Sequence, residues 1–93
     1  MSEIRFGAVY VLWGKDGGKD VPLGVGMVGE RTCAIGFDLL GKARSWAKHE
    51  RKTSSRLDTV LKANMPKYLD NLKKQGYGLA LMTEDGTLKE VTK

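Results

Sequence analysis

The residue types able to do covalent chemistry are scarce in this chain. His49 and Cys33 are its only histidine and cysteine. A thiolate beside an imidazole could act as a nucleophile and base, with Asp38 or Asp58 orienting the ring. Nothing in the spacing brings them together, and a cysteine between Thr32 and Ala34 reads as a small buried hydrophobe. One histidine and one cysteine also fall short of the three or four ligands that zinc takes. Asp16 and Asp20 flank a glycine pair but lack the alternating oxygen ligands of a calcium loop. Ser54 and Ser55 sit in no nucleophile-elbow context.

Gly24, Gly26 and Gly29 match the letters of a dinucleotide-binding glycine loop. That loop needs a helix opening at the third glycine, so that amides at a helix N-terminus can meet a phosphate. Residues 31–37, RTCAIGF, read as strand instead. No catalytic residue, metal or cofactor is therefore expected, and the chain reads as non-enzymatic.

Charge is the feature with a functional shape. The net charge is +5, from 16 basic and 11 acidic residues. Ten of the basic residues but only three of the acidic ones fall within residues 42–74, which leaves six against eight elsewhere. A block of this kind attracts phosphate oxygens whatever the base sequence, and released counterions drive the binding. Lys42, Arg44, Lys48, Arg51, Lys52 and Arg56 are the expected contacts to a polyanion, nucleic acid first, with weak sequence specificity. Trp13, beside Lys15 and Lys19, is added as a ring able to stack on a base. The alternative is a protein-interaction module, an inhibitor or adaptor. It would bind an acidic protein partner or use an exposed strand edge around residues 24–29, which could also make homo-oligomers.

These side chains need a scaffold. Residues 4–13, IRFGAVYVLW, predict a strand with Ile4, Phe6, Ala8, Tyr10 and Leu12 on its inner face. Glycines at 17 and 18 suit a hairpin turn. Residues 21–29 predict a return strand, edge-like at Pro22 and bulged at its glycines, and residues 31–37 a third short strand. Asp38 is positioned to N-cap a helix whose apolar side carries Leu39, Leu40, Ala43, Trp46 and Ala47. A break near Thr53 follows, and Ser55 with Asp58 fits a capping box for a second helix. That helix carries Leu57, Val60, Leu61, Met65, Tyr68, Leu69 and Leu72 at steps of three and four. Pro66 either kinks it or divides it in two, and Gly76 closes it. Residues 77–83 and TLKEV form a final hairpin about Asp85-Gly86.

The fold class expected is α+β: a small antiparallel or mixed sheet of four or five strands with two or three helices packed on one face, in the order β-β-(β)-α-α-β-β. At 93 residues this is a single domain spanning 1–93. A lone cysteine excludes an internal disulfide and favours a reducing, cytoplasmic setting. No apolar run approaches the ~20 residues of a membrane span, so no membrane partner is expected.

Overall fold

Val9, Val11 and Trp13 alternate along the chain with Tyr10 and Leu12, and both sets are withdrawn from solvent. Successive strand residues point to opposite faces, so this strand must be covered on two sides. The computed structural model, which describes residues 7–91, shows how.

Strand β1 (Ala8–Asp16) lies inside a mixed sheet that has seven strands among the described residues. It turns at Gly17 and Gly18, both at positive φ, into β2 (Lys19–Pro22). The chain bends at Leu23 and Gly24 into β3 (Val25–Val28). It reverses at Gly29 and Glu30 into β4 (Arg31–Phe37). Gly29 thus opens a hairpin and no helix, and the glycine run is strand and turn.

One edge of β1 is shared. Its C-terminal half pairs with β2, while Tyr10 and Val11 pair with Phe37 and Gly36 of β4. The other edge takes β5 (Arg56–Leu61), antiparallel from Ala8↔Leu61 to Trp13↔Arg56. Beyond β4 lie β6 (Gly78–Met82), parallel to it, and β7 (Leu88–Glu90), antiparallel to β6.

The two α-helices among the described residues are α1 (Leu40–His49) and α2 (Met65–Lys74), the latter entered through a single 3-10 turn at Lys62–Asn64. Met65 and Leu72 of α2 pack with Val9, Val11, Trp13, Val60 and Leu79, and Tyr68 and Leu69 join them. Ala43, Trp46 and Ala47 of α1 pack with Tyr10, Leu12, Ile35 and Phe37. Because Val9 and Val11 point away from Tyr10 and Leu12, the helices cover opposite faces of the sheet. Fully burying Leu72 contributes about 1.5–3 kcal/mol.

The mixed α+β class is as read, but several details differ. The helices do not share one face, and the order is β-β-β-β-α-β-α-β-β. The expected return strand is two strands, divided at Leu23 and Gly24. Residues 56–61 are strand, because β1 has an edge whose amides and carbonyls need partners and this segment supplies them. Leu57, Val60 and Leu61 fit helical spacing only by coincidence. Ser55 caps nothing and lies beside Trp13, its backbone N–H donating to the Trp13 carbonyl at 2.8 Å. Pro66 falls in the first turn of α2, where its missing N–H costs nothing, so it neither kinks nor splits a helix. Asp38 is not an N-cap: Leu39 holds that position without a side-chain cap, and Asp38 pairs with Lys42. Both faces of β1 are covered: Val9, Val11 and Trp13 are buried on one, and on the expected inner face Leu12 is buried with Tyr10 packed beside it. Of the residues expected on that inner face, Ile4 and Phe6 lie outside the described residues.

Both helices end in the same hydrogen-bond pattern. Tyr77 N–H donates to Leu72 O and Gly76 N–H to Lys73 O, with Gly76 at φ 89°. Likewise Lys52 N–H donates to Ala47 O and Arg51 N–H to Lys48 O, but here an arginine takes the left-handed position, at φ 55°.

Candidate nucleic-acid interface

The sheet decides how the basic block is distributed. Residues of α1 and α2 are set on opposite sides of it, so the lysines of α2 cannot extend a surface made by α1. Within α1, Arg44 and Lys48 are one turn apart, roughly 40° around the axis at 3.6 residues per turn, and Arg51 follows just past the helix end. All three are exposed, and none has an ion-pair partner among the described residues.

The remaining sequence candidates are engaged elsewhere. Lys42 Nζ lies 3.1 Å from Asp38 Oδ1 and 3.7 Å from Glu84 Oε1. Lys52 folds back on the body, donating to the Leu23 carbonyl at 3.2 Å, with its ammonium 5.6 Å from the centre of the Trp46 ring. Arg56 is on β5, away from α1. It contacts Asp20 at 3.0 Å and Asp58 at 3.1 Å, and its guanidinium lies 4.6 Å over the Trp13 ring. Moving Arg56 to a phosphate would sacrifice two ion pairs and a cation–π contact, so little net attraction remains.

Trp13 is only 2% exposed, and its Nε1–H donates to Tyr68 Oη at 3.0 Å. The indole is a core side chain and is not available to stack on an incoming base. Tyr68 in turn donates to Asp58 Oδ2 at 2.8 Å, which links α2, β1 and β5 through one polar chain. Burial, and then the hydrogen bond to the Asp58 carboxylate, push the Tyr68 phenol well above its usual range.

Phe37 and Trp46 read as packing residues in the sequence. They do pack, 5.7 Å apart in a tilted pair, yet they also wall a hollow of about 560 Å³ with Met82 on the flank of α1 that carries Lys42. Gly41 and Ser45, small residues one turn apart, leave that space open. The spacing of two small residues on an otherwise basic helix was the available signal for it.

The pairing of Cys33 with His49 finds no support in the geometry. Cys33 is fully buried on β4 with its Sγ directed to the Arg31 carbonyl, and His49 is exposed in the last turn of α1. Burial pushes the Cys33 thiol up, away from a reactive thiolate. Asp38 and Asp58 are committed to Lys42, Arg56 and Tyr68. Among the described residues no group of three His, Cys, Asp or Glu converges on a metal-sized space. No described helix is long and apolar enough to cross a membrane.

No protein-family model, curated protein or solved structure matches the chain.

Proposed function

We propose that the chain is a non-enzymatic binding module that takes a polyanion, nucleic acid first, against the outer flank of α1. The observation supporting this is the run of Arg44, Lys48 and Arg51 along and just beyond α1: three exposed cations with no carboxylate holding them among the described residues. Phosphate oxygens would be the groups bound. The bases would be contacted little, since Trp13 is buried. A buried, unpaired cysteine suits a reducing compartment, and we place the module in the cytoplasm.

Three neutralised phosphates set the strength of the effect. Affinity should fall about 20-fold for a single strand, and about 40-fold for a duplex, between 50 and 200 mM salt. The test is fluorescence anisotropy with labelled single-stranded and duplex oligonucleotides. Arg44→Glu, Lys48→Glu and Arg51→Glu together should abolish binding. Lys73→Glu, across the sheet on α2, should change it less than twofold. Salt-independent binding, or equal losses from both reversals, would overturn the reading.

A further inference from the structure

A second surface lies away from the α1 flank and has a different chemistry. Leu57, Asp58, Thr59 and Val60, four consecutive residues of β5, all line one hollow of about 340 Å³, together with Asn64, Lys67, Tyr68 and Asn71. Successive strand residues project to opposite faces, so consecutive residues can share a hollow only along the edge of the strand. Among the described residues no strand pairs with β5 on that side; its partner is β1. The hollow runs on past Asp58, Tyr68 and Asn71 into a second one of about 370 Å³, lined also by Arg56, Lys74 and Gln75. An open strand edge is thus bordered by one flank of a helix along its length.

The two sides of that edge differ. Towards α2 point Asp58 and Val60, and beyond them stand Lys67 and Lys74, exposed and without ion-pair partners among the described residues. Arg56 already compensates Asp58, so the helix flank is positive. Towards the other side point Leu57, Thr59 and Leu61, with the two leucines 37% and 51% exposed. A chain added to this edge would alternate between a cationic wall and an apolar one.

We infer that the β5 edge binds an extended peptide as an added strand, with acidic side chains at alternate positions facing Lys67 and Lys74 and apolar ones over Leu57 and Leu61. Backbone hydrogen bonds would supply attachment, and the alternation would supply selectivity. A second copy of the chain fits worse. Antiparallel self-pairing about Thr59 sets Leu57 opposite Leu61 but places Arg56 opposite Lys62 twice, like charge against like. This goes beyond the polyanion reading and uses none of Arg44, Lys48 or Arg51.

The probe is the capped peptide Thr-Glu-Val-Glu-Val-Glu-Thr, titrated into the ¹⁵N-labelled full chain, with Thr-Lys-Val-Lys-Val-Lys-Thr as its counterpart. The glutamate peptide should shift the amides of residues 56–62 and 64–75 saturably and bind about 10-fold more tightly than the lysine peptide. Lys67→Glu with Lys74→Glu, both on the solvent side of α2, should reverse that preference. The triple reversal on α1 should leave peptide binding intact, so this test can fail independently of the polyanion one. The inference is overturned by shifts confined to α1, by equal affinity for both peptides, or by no saturable shift. A concentration-dependent dimer whose residues 56–62 are already protected from hydrogen exchange would also overturn it.

Discussion

Tyr68→Phe removes one oxygen from the middle of the chain that ties β1, β5 and α2 together. The phenol accepts from Trp13 Nε1 at 3.0 Å and donates to Asp58 Oδ2 at 2.8 Å. Trp13 is 2% exposed, so its indole N–H would be left buried without an acceptor, at a cost of about 1–3 kcal/mol. Asp58 is better placed, with its side chain 24% exposed and Arg56 beside it, so water and the guanidinium can replace the lost donor for less than about 1 kcal/mol. The Trp13 side of the bond therefore dominates, and a total near 2 kcal/mol is expected. For a domain of this size that lowers the melting temperature by about 8–16 °C. Urea denaturation and thermal melts followed by circular dichroism give both quantities. Trp13→Phe, which deletes the donor, should make the hydroxyl nearly dispensable, giving a coupling energy of about 1 kcal/mol or more in the double-mutant cycle. A loss below about 0.5 kcal/mol for Tyr68→Phe, or strict additivity, would refute this account of how α2 is held.

The same phenol predicts an alkaline limit. Its folded pKa is raised, so above the ordinary tyrosine range the unfolded chain releases a proton that the folded one keeps, and stability falls as pH rises past about 10. Tyr68→Phe should flatten that fall, by less than about 1.4 kcal/mol per pH unit because the phenol is only part-buried, as read from urea midpoints at pH 9 and 11. Arg51→Gly relieves a left-handed arginine at the end of α1 and should stabilise by about 0.5–1 kcal/mol in the same assay, while weakening oligonucleotide binding. Gly36→Ala places a methyl 2.7 Å from Val9 Cγ1 and 3.3 Å from Leu79 Cδ1 inside the sheet and should cost about 1–3 kcal/mol.

Local signals were legible where one residue type was required. Gly17, Gly18, Gly76 and Gly86 all take positive φ at the turns and cap where their type predicts it. The strand at residues 31–37 also has the predicted bounds. What failed was non-local. Whether residues 56–61 coil or extend depends on the unpaired edge of β1, which no window around Leu57 contains. The same omission hid the side on which each helix packs, because β1 is apolar on both faces and either would accept a helix. For the candidate site, the sequence located the positive charge on the chain but not its partners. Asp20, thirty-six residues from Arg56, and Glu84, far beyond Lys42, reach them only through the fold. Trp13 misled because its position beside a lysine-flanked turn hid its pairing with Pro22 on one side and Arg56 on the other.

A ¹⁵N spectrum of the intact chain, titrated with a short unlabelled single-stranded oligonucleotide at 25 mM salt and again at 200 mM, tests most directly whether α1 carries the anion site. The amides of residues 44–52 should move together at low salt and return towards their free positions at high salt, with those of α2 unmoved. An unchanged spectrum, or shifts centred on residues 62–75, would contradict the assignment.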